Sequence, residues 1–206
     1  MIIGITGNFG SGKTTVSEIL KKYGFEVINA DELYHDIYGK DNSLKDMILD
    51  EFGTLDRNKI KKIVFKDYKR LQKLNEITHP VIIKEIKSRI SSIIEKYNDK
   101  NTIEKPKENK KEPDHKIRVA LDVPLLIEAK MQDMADKTIV VKCDKNVQME
   151  RLLKKKKYSE EEITQIIKSQ MPIEEKIKYA DFVIDNSKTT EETEKQIKAI
   201  ILSLEP

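Results

Sequence analysis

The sequence predicts an α/β fold, a three-layer α/β/α sandwich around a parallel sheet of about five strands. Short apolar runs recur along the chain without strict alternation of apolar and polar residues, as expected of parallel strands covered on both faces. Segments with apolar residues three and four apart separate these runs, which indicates amphipathic helices between the strands. The strands are expected at 1–6, 25–29, 117–123, 138–142 and 182–184.

The first strand leads into a glycine-rich loop and then a helix expected at 13–23. The loop and helix start read Gly7-Asn8-Phe9-Gly10-Ser11-Gly12-Lys13-Thr14, which matches G-x-x-x-x-G-K-[ST]. In this motif, loop amides converge on phosphate at the helix N-terminus, Lys13 reaches the β- and γ-phosphates, and the Thr14 hydroxyl binds Mg²⁺. A glycine-rich surface turn is the simpler alternative, but it does not explain eight positions in register between a strand and a helix. We therefore predict a P-loop that contacts ATP through Gly10, Ser11, Gly12, Lys13, Thr14, Thr15 and Val16.

The region from 32 to 97 is predicted to be helical and inserted after the second strand, which ends at Ala30-Asp31. Its last helix is expected to start at His79-Pro80, because proline suits a first helical turn. Residues 98–116 follow with eleven charges, six lysines against five acids. Such a segment cannot bury enough apolar surface to become ordered, so we predict a mobile surface insertion. A basic nucleic-acid arm is the alternative, which the near-neutral charge disfavours.

Composition excludes several classes of protein. The chain has 39 basic and 36 acidic residues and a net charge of +3, which is too balanced for a nucleic-acid binder. No apolar run approaches the ~20 residues needed to span a membrane. Cys143 is the single cysteine, so the chain can form no internal disulfide. With no leader pattern at the N-terminus, the expected location is cytoplasmic.

The C-terminal third contributes a helix at 146–154, a run of four lysines and a helix that opens with a capping-box pattern at Ser159. Pro172 restarts the chain before the last strand, and a closing amphipathic helix is expected at 189–204. A P-loop also occurs in switch GTPases, which read guanine with Asn/Thr-Lys-x-Asp. The chain contains no such motif, which argues against a nucleotide-gated switch.

Over residues 1–203, except for the charged insertion, the chain resembles the dephospho-coenzyme A kinase family. Beyond the P-loop, the matching segments are 30–33 (ADEL), 55–57 (LDR), 63–65 (IVF), 79–80 (HP), 121–128 (LDVPLLIE), 170–172 (QMP) and 180–187 (ADFVIDNS). The resemblance implies transfer of the ATP γ-phosphoryl to the ribose 3′-hydroxyl of dephospho-CoA, with Mg²⁺. It also implies one domain, 1–206, with a nucleotide-binding core (1–31, 117–150 and 173–206), a substrate-binding region (32–97) and a helical lid (151–172).

Two acidic residues are predicted to act in the reaction. Asp31 ends the second strand, where a carboxylate can accept the hydroxyl proton, and the resemblance gives it the same role of catalytic base. The alternative is an N-cap for the helix that follows. The family has Asp-x-Asp at this point, whereas this chain has Asn29-Ala30-Asp31. Asp122 ends a buried strand and is the candidate for water-mediated Mg²⁺ binding, or else a residue that caps the next turn.

The resemblance also suggests substrate contacts. Arg57 is a candidate for substrate phosphate, with a solvated helix start as its alternative. His79 would bind the substrate or cap the helix at Pro80. Arg151, in the lid, would contact ATP and act in catalysis, and Lys155 stands where the family has a further arginine. Three more contacts complete the predicted set: Pro124 and Leu125 with dephospho-CoA, and Asn186 with the edge of adenine.

The remaining alternative among enzymes is a nucleoside or nucleotide kinase of the same architecture. The expected partners are ATP and dephospho-CoA, with no nucleic acid and no membrane. The expected assembly is a monomer or a weak homo-oligomer.

Overall fold

A computed structural model describes residues 1–103 and 117–204, with the backbone alone for 100–103. Within these residues a five-stranded parallel sheet has the order β2-β3-β1-β4-β5, which confirms the predicted fold class. The strands are β1 (Ile2–Thr6), β2 (Glu26–Asn29), β3 (Val119–Asp122), β4 (Lys137–Lys142) and β5 (Phe182–Asp185). Because every strand is parallel, all their carboxyl ends face the same edge.

Helices cover both faces of the sheet. They are α1 (Lys13–Lys22), α2 (Ala30–Lys40), α3 (Asn42–Phe52), α4 (Arg57–Val64), α5 (Tyr68–Ile103), α6 (Lys145–Lys154), α7 (Glu160–Lys168), α8 (Ile173–Ile177) and α9 (Thr190–Leu204). One buried core joins α1 and α9 to the sheet, and a second joins α2 and α5 to its other face. In β3, Ala120 faces the first core and Leu121 the second, because successive side chains of a strand point to opposite faces.

A third core holds the helical region together away from the sheet. It consists of Leu44, Ile48 and Phe52 of α3 with Ile60 and Val64 of α4. Side chains from the first half of α5 pack against this core, and side chains from its second half pack against the sheet. Helix α5 therefore links α3 and α4 to the sheet.

The predicted start of the last inserted helix at His79-Pro80 is wrong. Helix α5 begins at Tyr68 and continues through Pro80 to Ile103. A proline inside a helix removes one backbone hydrogen bond. We attribute the continuity to the two cores, which anchor the helix on both sides of the proline. His79 consequently lies in mid-helix and caps no helix end.

Other predicted boundaries also fall differently. Asp31 is the second residue of α2 and not the end of a strand, because the Asn29 side chain caps that helix two residues before Asp31. The first part of the predicted insertion, 98–103, continues α5, whereas 104–116 lie outside the described residues. The predicted lid boundary at 151 falls inside α6. No helix among the described residues is long and apolar enough to cross a membrane.

Candidate active site

The carboxyl ends of β1, β2 and β3 meet at one edge of the sheet. Asp122, the last residue of β3, lies in register between Ile5 of β1 and Asn29 of β2. The glycine-rich loop follows β1, and Asp31 follows β2. Lys13 interacts electrostatically with both Asp31 and Asp122. The fold thus brings three predicted site residues together at the edge where open α/β sheets bind ligands.

The loop meets α1 at Gly12, whose φ is 89°. A Cβ at Gly12 would lie 1.8 Å from Nδ2 of Asn186, so a larger residue would collide with that side chain. Asn186 Nδ2 in turn donates to the Ser11 carbonyl at 2.9 Å. Within the described chain, the amides of Gly12, Lys13 and Thr14 donate to no protein acceptor. These amides at the helix N-terminus form a cradle suited to phosphate.

The other predicted ATP contacts have different surroundings. Gly10 packs against the side chain of Leu152 in α6. Thr15 is half-buried, while Val16 is fully buried in the core and its amide donates to the Gly12 carbonyl. The Val16 side chain therefore supports the loop from the core.

Lys13 lies folded over its own loop. Its Nζ donates to the Gly7 carbonyl at 2.9 Å. Desolvation lowers the pKa of the ammonium, and the carboxylates of Asp122 and Asp31 oppose that change. The ammonium is thus held beside the phosphate cradle by one carbonyl and two acidic neighbours.

Asp122 and Thr14 provide the oxygen atoms that could serve a magnesium ion. Asp122 is 3% exposed and accepts a hydrogen bond from Ser17 Oγ at 2.9 Å. Burial raises the pKa of its carboxyl, and Lys13 and Ser17 oppose the rise. Thr14 is exposed at the N-terminus of α1. One hydroxyl and one carboxylate match a Mg²⁺ ion that also binds nucleotide phosphate and water. Sequence analysis did not single out Ser17, although it lies one helical turn after Thr14.

Asp31 stands in the first turn of α2 with a solvent-exposed side chain. Its amide donates to the side chain of Asn29 at 2.9 Å, so Asn29 is the N-cap and the Asp31 carboxylate is left free of capping. Desolvation by the protein atoms around it raises the pKa of Asp31, and the charges of Lys13 and Arg57 oppose the rise. The carboxylate is thus accessible to solvent and placed to accept a proton.

A cavity of about 180 Å³ opens beside Asp31. Its walls come from α2, α5 and the loop after β3, and include Asp31, Tyr34, Thr78, His79, Ile82, Pro124 and Leu125. Burial lowers the pKa of His79, and the charge of Glu128 opposes that change. Three predicted substrate residues, His79, Pro124 and Leu125, therefore line one cavity next to the candidate base.

Arg57 is the first residue of α4 and contacts side chains of α2. Its guanidinium contacts His35 Nδ1 at 2.7 Å and lies 5.7 Å from the ring centre of Tyr34 and 5.8 Å from that of Tyr38. The side chain is exposed. Arg57 is thus a solvated residue at a helix start, which was the alternative prediction. Its aromatic neighbours also hold its positive charge near the cavity.

Arg151 connects the start of the lid to the turn after β5. Its guanidinium donates to the carbonyl of Asn186 at 2.7 Å and to that of Lys188 at 3.2 Å. Lys155 is the C-cap of α6 and is exposed. The structure therefore supplies protein partners for Arg151, and an ATP contact by either residue remains a prediction.

The segment predicted to form the lid, residues 151–172, also contacts the phosphate loop directly. The Phe9 ring meets the Tyr158 ring edge-on at 5.4 Å, and the Phe9 amide donates to Gln170 Oε1 at 2.7 Å. Lys61 of α4 contacts the Tyr158 hydroxyl and lies 3.8 Å from the ring centre. The loop, the lid and the helical region thus meet at Tyr158, which sequence analysis missed because no motif marks it.

Asn186 is a structural support for the loop. Its side chain is 3% exposed, with Nδ2 bonded to Ser11 and Oδ1 accepting from Thr193 Oγ1 at 2.9 Å. Both polar ends of the side chain are therefore engaged within the protein. An adenine contact would have to compete with these bonds.

Comparison with known proteins gives a consistent result. The family model described as dephospho-CoA kinase matches residues 1–192. A dephospho-CoA kinase of Aquifex aeolicus is 41% identical over 96% of this chain and 94% of its own length, and one of Carboxydothermus hydrogenoformans is 38% identical over 97% and 92%. The solved dephospho-CoA kinase of Campylobacter jejuni superposes with a TM-score of 0.62 at 25% identity, covering 98% of this chain and 96% of that one.

Proposed function

The chain belongs to the dephospho-CoA kinase family, and on that premise we propose that Asp31 is the general base for phosphoryl transfer from ATP to the ribose 3′-hydroxyl of dephospho-CoA. One observation carries this assignment: the Asp31 carboxylate is free of capping and lies between the Lys13 ammonium and the cavity lined by His79 and Pro124. A base must lie within reach of both the acceptor hydroxyl and the phosphoryl group.

The acceptor is assigned to the cavity beside Asp31. Its walls combine apolar side chains of α5 and the loop after β3 with the polar groups of Thr78 and His79, as small-molecule sites do. Arg57 supplies positive charge at the same end of the molecule, suited to a phosphate of the acceptor. Contacts of His79, Pro124 and Leu125 with dephospho-CoA are part of this proposal.

The donor is assigned to the amides at the start of α1. Lys13 neutralises negative charge on the phosphates, and preorganised charge of this kind is a large part of catalysis in phosphoryl transfer. Thr14 would bind Mg²⁺ directly and Asp122 would hold it through water, with Ser17 orienting the Asp122 carboxylate. When bound, the ion neutralises phosphate charge during transfer. Arg151 adds a guanidinium at the start of the lid, which would reach ATP when the lid closes.

The test of the base is Asp31→Asn, which keeps the shape of the side chain and removes its basicity. We expect kcat to fall by roughly 10²- to 10⁴-fold with little change in ATP affinity. The matched control is Asp36→Asn, on the exposed side of the same helix, which should leave kcat unchanged. A kcat for Asp31→Asn close to that of the unmodified enzyme would exclude the base role.

Acceptor choice is tested by separate assays with each acceptor. The purified protein is given Mg-ATP with dephospho-CoA, adenosine, uridine or a nucleoside monophosphate, and ADP release is followed. We expect turnover with dephospho-CoA alone.

We further propose that the enzyme acts in the cytoplasm, where ATP is available, as a monomer or weak homo-oligomer. Light scattering after size exclusion would measure its oligomeric state.

A further inference from the structure

One lysine is fully enclosed in the lid end, which we define as residues 171–176, and its charge acts on Lys13 of the phosphate loop. Lys176, in α8, has a side chain that is 0% exposed. Its Nζ contacts Glu128 Oε1 at 2.9 Å and donates to the Pro124 carbonyl at 2.9 Å. Burial lowers the pKa of Lys176, and Glu128 opposes that change. A charged side chain rarely occupies such a position unless it is paired.

Its partner, Glu128, also holds the lid end. Glu128 Oε1 accepts a hydrogen bond from the Met171 amide at 3.2 Å, in the turn between α7 and α8. The other oxygen, Oε2, is buried and has no hydrogen-bond partner within the described residues. The carboxylate therefore joins the loop after β3 to two points of the lid end, Met171 and Lys176.

The same pair controls one wall of the acceptor cavity. The Pro124 carbonyl accepts from Lys176 on one side and from Thr6 Oγ1, at the end of β1, at 2.9 Å on the other. Two donors on one carbonyl fix the orientation of its peptide group. Pro124 and the next residue, Leu125, line the cavity beside Asp31. The position of this wall thus depends on a lysine that belongs to the lid end.

Stability alone does not account for the pair. Desolvation of two charges can outweigh their attraction, and replacing a buried ion pair by apolar residues is often neutral or stabilising. A pair whose atoms join the lid end to the cavity wall instead fixes the position of one relative to the other.

We propose that Glu128 and Lys176 are positioning residues that set the acceptor-cavity wall, through Pro124, relative to the lid end. Loss of either residue moves this wall and impairs binding of dephospho-CoA more than binding of ATP, because the pair reaches the ATP side only through charges that act on Lys13 less than those of Asp122 and Asp31 do. The proposal rests on the assignment of the cavity to the acceptor.

The experiment compares Lys176→Met, Glu128→Gln and the double variant with the unmodified enzyme. The matched control is Lys178→Met with Glu175→Gln, an ion pair at 2.8 Å in the same segment whose side chains are exposed. For each protein, kcat, KM for dephospho-CoA, KM for ATP and Tm are measured. Leu125→Trp, which fills the cavity, tests the cavity assignment separately.

We expect both single variants to raise KM for dephospho-CoA by about tenfold or more, with KM for ATP little changed, because small displacements near reacting groups have large effects. Each single variant leaves a buried charge without its partner and lowers Tm. The double variant removes both charges, so Tm should recover while KM for dephospho-CoA stays high, because the Pro124 carbonyl keeps only the Thr6 donor and still lacks that of Lys176. The control pair should change neither KM nor Tm.

Three results would overturn the positioning role: an unchanged KM for dephospho-CoA in the single variants, an equal rise for both substrates, or recovery of KM together with Tm in the double variant. The last two would mean that the pair only stabilises the fold. If Leu125→Trp leaves KM for dephospho-CoA unchanged, the cavity assignment fails, and that failure is distinguishable from failure of the ion-pair proposal.

Discussion

Three charged side chains at the edge of the sheet alter one another's protonation. Desolvation by the surrounding protein atoms raises the pKa of Asp31 and of Asp122 and lowers that of Lys13, so it works against the charged form in every case. Their mutual attraction opposes that effect. The result is a compact group of opposite charges in which Asp31, the more exposed of the two acids, is the one that solvent can reach.

The raised pKa of Asp31 leads to a prediction about pH. A base acts only when ionised, so kcat/KM for dephospho-CoA should fall as the pH drops through the pKa of Asp31, above the usual 3.8. The measurement is a pH profile of kcat/KM, with circular dichroism at each pH to verify folding. The control variant Asp36→Asn should show the same fall in kcat/KM at low pH, the acid limb of the profile.

The pH profile of the residual activity of Asp31→Asn shows which carboxyl causes the fall in kcat/KM at low pH. Asp122 also has a raised pKa, so an acid limb by itself does not identify the group. If the limb persists unchanged in Asp31→Asn, it belongs to another carboxyl, and the pH dependence no longer supports Asp31.

At the scale of elements, the phosphate loop is supported by parts of the chain that are remote in sequence. Asn186 follows β5 and Thr193 belongs to α9, and together they hold the Ser11 carbonyl. Arg151 of α6 holds the Asn186 carbonyl from the other side. The conformation of the loop thus depends on three separate elements as well as on its own glycines.

Removal of this support should weaken nucleotide binding without changing the preference between adenine and guanine. In Asn186→Ala the Ser11 carbonyl and the Thr193 hydroxyl each lose a buried partner, which should lower stability by about 1–3 kcal/mol. We expect Kd for ATP and for GTP to rise by similar factors, as measured by titration calorimetry. The control is Asn146→Ala on the exposed surface of α6, which should alter neither value.

A contact between Asn186 and adenine would give a different pattern. In that case Asn186→Ala would weaken ATP binding and leave GTP binding nearly unchanged, and the supporting role would be contradicted.

At the scale of the whole molecule, the sites proposed for the two substrates belong to two differently built parts. The donor side rests on the core of α1, α9 and the sheet, and the acceptor side rests on α2, α5 and the third core of α3 and α4. Tyr158 of the lid contacts both parts, through Phe9 of the loop and Lys61 of α4. Binding at either side should therefore stabilise the fold as a unit.

Ligand binding should consequently raise the thermal stability of the enzyme. Mg-ATP at 100 times its Kd should stabilise the folded state by about 2.7 kcal/mol, since only the folded state binds it. This is measured as a rise in Tm. Lys13→Ala should lose most of the rise, because the ammonium beside the phosphate cradle is gone, whereas Lys21→Ala, at the far end of α1, should keep it.

One result of this Tm experiment would contradict the predicted role of Lys13. If Lys13→Ala shows the same rise in Tm as the unmodified enzyme at every ATP concentration, the ammonium makes no contact with bound nucleotide, and the P-loop assignment of Lys13 is contradicted.

Signals confined to neighbouring residues were enough to predict much of this protein. The order of strands and helices, the parallel sheet, the P-loop from Gly7 to Thr14 and the capping box at Ser159 all follow from short patterns, and the structure confirms these elements. The physical reason is that hydrophobic periodicity, glycine conformations and helix caps act over one or two turns of the chain. The identity of the family followed from the order of several such motifs.

Long-range packing decided the rest. Helix α5 runs through Pro80 because two cores anchor it, Asn186 supports a carbonyl 175 residues earlier, and Lys176 is paired with Glu128 through folding alone. No local pattern marks these contacts, because each partner obtains its environment only when distant elements meet. The sequence thus predicts the groups that perform the chemistry, while the packing of distant elements determines which residues hold them in position.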